Sequence, residues 1–224
     1  LTCYNHINTF IAFFAILRAK KIVVILDPLS KNLEITEIIE KIDPSLIIIP
    51  DIKNDKFLYD TELIFRKSKF YTSENLENVK LLAFTNAEDG YPKAAMLTEE
   101  NLLFQAEILI NTNKINFKSI ICSLLPYSHM YGLMHGIIVP SQSETTSVIL
   151  ENNILNLKYI LYEKHKYKVT HLYSVPSTYY LMSKVPSIKK FTEYLTNIYS
   201  GGISLPEKFY EEFFAKTGKK IREG

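Results

Sequence analysis

The apolar positions of this chain fall into two alternating kinds of block. Short, continuous runs read as strands covered on both faces: Val23 to Leu26, Leu46 to Ile49, Leu81 to Phe84, Ile120 to Leu124, Val169 to Tyr173, and the pair Ile198-Tyr199. Between them apolar residues recur at helical spacing. Leu33, Ile35, Ile38, Ile39 and Ile42 predict one helix, and Ile154, Leu157, Ile160 and Leu161 predict another over 154–164. Thr98 can cap a helix running to about Ile110, with Glu99 and Glu100 in its first turn, and a further helix begins after Pro176. Ser204-Leu205-Pro206-Glu207 reads as a capping box, Ser204 capping and Glu207 three residues on, for a helix that Gly218 ends.

Strand, helix and strand between Val23 and Ile49 form a βαβ unit, which predicts that the two strands lie parallel in one sheet. Residues 51–80 are polar and irregular, with turn-like clusters at Lys53-Asn54-Asp55-Lys56 and Ser73-Glu74-Asn75, and read as a peripheral connector or a lobe boundary. The expected organisation is a first α/β lobe over 1–80 and a second over 81–224. The fold class is α/β, with largely parallel sheets flanked by helices and no internal repeat or heptad pattern.

Composition narrows the function classes. With 47% apolar residues the 224-residue chain can bury a real core. Lys+Arg 26 against Asp+Glu 24 leaves a formal charge of +2 without a basic run, so nucleic acid is not an indicated partner. Cys3 and Cys122 stand alone, with no metal-ligand spacing or disulfide framework, which suits a reducing cytosol and gives a cytoplasmic expectation. The apolar stretch from Ile7 to Leu26 is broken by Arg18-Ala19-Lys20-Lys21, so both halves fall well short of the roughly 20 residues of a membrane span. It also lacks the basic leader and small-residue cleavage site of a signal peptide. Zinc spacings, a catalytic triad and a GxGxxG fingerprint are lacking.

Four segments carry candidate chemistry. Phe84-Thr85-Asn86-Ala87-Glu88-Asp89-Gly90-Tyr91-Pro92-Lys93-Ala94 is built like a phosphate-binding turn, in which glycine allows close backbone approach and N–H groups face the anion. Leu125-Pro126-Tyr127-Ser128-His129-Met130-Tyr131-Gly132, Ser174-Val175-Pro176-Ser177 and Ser200-Gly201-Gly202 follow in that order. Taken singly, Lys93 reads as a solvated loop lysine, His129 as a structural histidine and Ser200-Gly201-Gly202 as punctuation after a strand. Tyr173, Tyr180 and Leu181 read as core more readily than as pocket.

In order and spacing the four segments resemble the AMP-forming adenylating superfamily, the acyl-CoA synthetases and their relatives. The resemblance covers nearly the whole chain, and Asn8 to Pro28 is similar to that family's helix-then-strand segment, with Lys20 where a Gly is usual. It implies that the chain is part of the large N-terminal domain of an acyl-CoA synthetase-like fold. It places Thr85, Asn86, Glu88, Asp89, Gly90 and Lys93 beside the nucleotide phosphates. His129, Tyr131, Tyr173 and Ser177 would lie along an acyl pocket, with Tyr180 and Leu181 nearby, and Ser200, Gly201 and Gly202 at adenine. ATP, Mg²⁺ and CoA or another thiol acceptor are implied, and a fatty or aryl carboxylic acid is favoured as the small-molecule partner. No oligomeric state is implied. The ribose-binding Asp and the C-terminal lobe with its catalytic Lys are expected beyond Gly224, and residues before Leu1 are expected too, so residues 1–224 alone are not expected to complete adenylation.

The chain departs from the family's loop at Glu88 and Asp89, which replace two hydroxyl residues, and at Ala87 and Ala94, which replace glycines. One like-charge pair at about 5 Å and an effective permittivity of about 20 repels by roughly 3 kcal/mol. Three readings follow. Screening or rearrangement leaves family-like ATP binding intact, or the carboxylates hold the Mg²⁺ that accompanies ATP, or the chain is a degenerate member that binds a ligand or partner without adenylating.

Overall fold

The computed structural model describes residues 1–49, 62–65, 76–85, 93–150 and 165–224. These residues form two compact units, Leu1–Leu103 with Ser128–Met130, and Phe104–Tyr127 with Tyr131–Gly224. Both alternate helix and strand, as the hydrophobic pattern predicts. The predicted helix over 154–164 lies outside the described residues.

The first unit opens with helix α1, Ile7–Arg18, whose N-cap His6 accepts the Asn8 N–H on Nδ1 at 3.1 Å. Lys20, just past the helix, sits at φ 56, the left-handed region where glycine is the easier residue. Strand β1 is Val23–Val24, helix α2 is Asn32–Ile42, and β2 is Leu46–Ile49. Strand β3, Glu62–Phe65, pairs with β2 antiparallel. Strands β4, Val79–Thr85, and β5, Lys93–Thr98, form an antiparallel hairpin in which Thr85 faces Lys93, and β1 pairs parallel with β4.

The expected parallel pairing of Val23–Leu26 with Leu46–Ile49 does not occur. The first residues of the chain run between them: the Thr2 N–H donates to the Ile48 carbonyl at 3.0 Å, and the Cys3 N–H to the Leu26 carbonyl at 2.9 Å. With its inner edge occupied, β2 takes β3 as its partner, so residues 62–65 of the expected connector are a strand. Strand β5 also escapes the hydrophobic pattern, because Lys93-Ala94-Ala95-Met96 is exposed and poor in β-branched residues. Its ladder with β4 supplies what local propensity lacks. Helix α3, Glu99–Thr112, begins where predicted: Thr98 Oγ1 accepts the Asn101 N–H at 3.2 Å, and Asn101 Oδ1 accepts the Thr98 N–H at 3.1 Å.

The second unit is built on a five-stranded parallel sheet in the order β10-β9-β8-β6-β7. Its strands are β6 Ile120–Ser123, β7 Thr146–Val148, β8 His171–Ser174, β9 Asn197–Ser200 and β10 Arg222–Glu223. Between β6 and β7 the chain winds through α4, Met130–Leu133, a π-helical turn over Met134–Ile138, and α5, Val139–Gln142. Helices α6, Pro176–Ser183, and α7, Ile188–Phe191, join β8 to β9, and α8, Glu207–Thr217, joins β9 to β10. Cys122, Leu172 and Ile198 face these helices and meet Tyr179, Met182 and Phe213, all buried to within 2%. That layer is the core.

The helix α8 is not capped by Ser204. Its N-cap is Pro206, and no side chain caps it. The segment before it is tied sideways instead, with the Leu205 N–H donating to Glu223 Oε1 at 2.6 Å, so Ser204 cannot fold back onto the first turn. Gly218 closes the helix at φ 68 as expected.

Candidate functional site

In an open parallel sheet, ligands bind beyond the carboxyl ends of the strands, where the strand order reverses. Here that point lies between β6 and β8, because the chain leaves β6 for β7 on one side and returns to β8 on the other. The last residues of β6, β8 and β9 are Ser123, Ser174 and Ser200. All three are at least 99% buried, and none of their hydroxyls has a hydrogen-bond partner among the described residues. Such groups are costly to leave unpaired, by about 1–3 kcal/mol each, and their clustering at a switch point marks a place for a polar ligand. The register pairs Ser174 with Ser200 and Ser123 with Tyr173, so with a period of two the first pair faces the α6 side and Ser123 the opposite side.

On that opposite side the strands carry an aromatic column. Tyr173 of β8 and Tyr199 of β9 stack with centroids 5.3 Å apart and planes 9° apart. His135 from the π-helical turn lies on Tyr173 at 3.9 Å, and Tyr131 meets His135 edge-on at 4.7 Å. The column is anchored by polar groups. Asn113 Nδ2 donates to the Tyr173 hydroxyl at 2.9 Å, and Arg222 Nη1 donates to the Tyr199 hydroxyl at 3.0 Å. Burial raises the Tyr131 and Tyr173 hydroxyls above the usual phenol range and pushes His135 down to about 4. Because His135 Nδ1 is 2.9 Å from the Tyr131 carbonyl, which can only accept, that nitrogen carries the proton and Nε2 is the acceptor nitrogen.

The motif around Tyr131 has a steric reason. A Cβ on Gly132 would stand 2.0 Å from the Pro126 carbonyl oxygen, and one on Gly136 would stand 2.3 Å from the Tyr127 ring. The π-helical turn has a hydrogen-bonding reason. Pro140 has no N–H for the Gly136 carbonyl, which accepts the Ser147 hydroxyl at 3.0 Å instead, while the Val139 N–H reaches back to the Met134 carbonyl.

Of the residues that the sequence nominates, Tyr131, Tyr173, Ser200, Gly201 and Gly202 come together in the second unit. Tyr131 lies so close to Gly201 that a Cβ there would be 2.8 Å from its ring, and Gly202 has φ +89 beside Val175. Gly201 is therefore needed for ring packing as well as for any ligand. Ser177 is exposed on α6, Tyr180 stacks on Phe209 at 4.5 Å, and Leu181 is 45% exposed. His129 belongs to the first unit, exposed, with Nε2 3.5 Å from Asp27 Oδ2. Lys93 is exposed at the head of β5, and the Thr85 backbone closes β4 across from it. Asn86, Glu88, Asp89 and Gly90 lie outside the described residues. Among the described residues, no group of three or more His, Cys, Asp and Glu side chains could hold a metal ion, and no helix is long and apolar enough to cross a membrane.

Sequence reasoning missed His135, Asn113, Tyr199 and Ser123, and it held Ser174 only as part of a motif, with no role of its own. His135 had a signal, standing four residues after Tyr131 and hence on the same helical face. The serines had a fainter one, each closing an apolar strand run.

Residues 1–224 match the family described as AMP-binding enzyme. Among curated proteins, the acyl-CoA ligase sidI of Aspergillus fumigatus is 26% identical over 110 residues, 49% of this chain and 18% of that protein. A malonyl-CoA ligase solved as a ternary product complex with methylmalonyl-CoA and AMP superposes with a TM-score of 0.78 at 22% identity, covering 99% of this chain and 50% of that one. A fatty acyl-adenylate ligase from L. pneumophila, in complex with acyl adenylate and pyrophosphate, gives 0.71 at 24% identity, covering 91% and 40%. The chain spans half or less of the length of these proteins.

Proposed function

From the family to which the chain belongs, that of the AMP-binding enzymes, we propose that it is part of an AMP-forming acid–thiol ligase acting in the cytoplasm. The full-length protein would activate a fatty or aryl carboxylic acid with ATP and pass the acyl group to CoA or another thiol. The observation that carries this reading is the pair of buried, unpartnered hydroxyls of Ser174 and Ser200 at the carboxyl edge of the parallel sheet, beside Gly201-Gly202. A flat, polar group fits there. The serines would hold its edge and the glycines would let it approach the backbone.

In this reading ATP supplies the phosphoryl centre that the acid's carboxylate attacks, releasing pyrophosphate. The described residues bind and orient. Tyr131, held by His135, walls the approach to the strand ends, and the serines fix the nucleotide's polar edge. Catalysis of this kind rests on positioning and on stabilising charge along the line of displacement. Thr85 and Lys93 are paired across the β4–β5 ladder, and residues 85–93 would lie on the phosphate side of the nucleotide.

The acidic pair Glu88-Asp89 favours a second reading, a degenerate member that binds a ligand or partner without adenylating. Acid-dependent pyrophosphate exchange by the full-length protein separates the two. Robust exchange with any carboxylic acid removes the second reading, and its absence in a folded, complete protein removes the first.

A further inference from the structure

Resting on the ligase reading, we infer that the acid is a short-chain or single-ring aryl acid, because the aromatic column fills the layer that a long alkyl chain would have to enter. Among the described residues of the second unit, side chains cover both faces of the sheet beside the switch point between β6 and β8. On the α6 and α8 face, Leu172, Ile198, Tyr179, Met182 and Phe213 are buried to within 2% and pack as one cluster. On the other face stand Tyr131, His135, Tyr173 and Tyr199 in successive ring contact. Tyr173 is 0%, His135 4% and Tyr199 8% exposed. Two of the residues that resemblance sets along an acyl pocket, Tyr131 and Tyr173, are thus part of the plug.

The column is fixed at several points. Tyr173 is held by Asn113, Tyr199 by Arg222, and His135 by the Tyr131 carbonyl. Side chains packed this densely do not part for a ligand without losing those bonds. In an open apolar channel each added methylene improves binding by roughly fourfold. Here an added methylene meets a ring instead. A small acid that ends at Tyr131 avoids the conflict, and a flat aryl ring can stack on it. His135 and Tyr173 are specificity-determining residues that act by occupying the channel.

The test uses the full-length protein and a series of acids: acetate, butyrate, benzoate, octanoate and dodecanoate. Acid-dependent pyrophosphate exchange gives kcat/KM, and calorimetric titration of each acid alone gives binding without turnover. The expected result is a peak at butyrate or benzoate, with dodecanoate lower by about tenfold or more in both measurements. Two variants open the column by different amounts, His135→Ala and Tyr173→Ala, each checked by thermal melting. Either one, if folded, should shift the preference toward octanoate. A wild-type preference for dodecanoate overturns the inference while leaving the ligase reading intact. Short acids binding best without any exchange supports the inference and overturns the ligase reading. Failure of every acid to bind overturns both.

Discussion

The serines at the strand ends give the sharpest test, because they predict changes of opposite sign in one experiment. Ser174 and Ser200 carry buried hydroxyls that no group among the described residues satisfies. Replacing each with Ala removes a desolvated polar group and no hydrogen bond among the described residues. The double variant Ser174→Ala plus Ser200→Ala should therefore be as stable as the parent or more stable by about 1 kcal/mol. For a chain of this size that is an increase of roughly 2–4 °C in Tm. Ligand binding should move the other way. Two lost hydrogen bonds at about 0.5–1.5 kcal/mol each weaken Kd by roughly 5- to 150-fold. AMP is the suitable ligand, since it carries a single phosphate past the acidic loop. With AMP at about 100 times the parent Kd, the stabilisation by ligand is about 2.7 kcal/mol, and a thirtyfold weaker Kd reduces it to about 0.9 kcal/mol. Thermal melts of the full-length protein with and without AMP read both quantities. A ligand-free variant destabilised by more than about 1 kcal/mol would mean that the hydroxyls hold the sheet ends together. An unchanged AMP increment would mean that they do not face the nucleotide. Either result refutes the reasoning.

Other predictions test the surrounding frame. Gly132→Ala should be more damaging than Gly136→Ala, because the first new methyl meets the Pro126 backbone at 2.0 Å and the second meets a ring that can tilt; overpacking of the second kind costs about 1–3 kcal/mol, denaturant unfolding should show the order, and the reverse order would contradict it. For His135, burial lowers the folded-state pKa from 6.5 to about 4, so between those values the unfolded chain binds the extra proton and stability falls as pH drops through the window. The full effect is at most about 3 kcal/mol, and His135→Gln should flatten the stability profile between pH 4 and 6.5; an unchanged slope would place the proton elsewhere. Glu88→Thr plus Asp89→Thr should tighten ATP binding if the carboxylates repel the nucleotide, by up to about two orders of magnitude for a repulsion near 3 kcal/mol. Unchanged or weaker binding, measured with and without Mg²⁺, would identify them as harmless or as metal ligands.

How much of this was legible in the sequence depended on whether a feature left a local trace. The strands β1, β2, β6, β8 and β9 stood out as continuous apolar runs, helix α2 by its spacing and helix α3 by its cap. Pairing was less legible. That β2 joins β3 instead of β1 follows from where residues 1–3 lie, which no local pattern encodes. Strand β5 is held by its partner and not by its own propensity. At the site, glycine positions were readable because they mark close approaches or a positive φ: Gly132 and Gly201 are the first kind and Gly202 the second. Single serines at strand ends and one histidine on a helical face carry no such mark, since their meaning lies in what surrounds them after folding.

Within the second unit, Pro126, Tyr127, Gly132, Gly136, Pro140 and Ser147 lock against one another. Pro126 presses on Gly132, Tyr127 on Gly136, and the carbonyl that Pro140 cannot serve is handed to Ser147. A side chain at Gly132 or Gly136 makes a clash, and loss of the Ser147 hydroxyl leaves the Gly136 carbonyl unserved. Anyone transplanting a different pocket into this protein should carry those three contacts together and vary only the side chains that take no part in them.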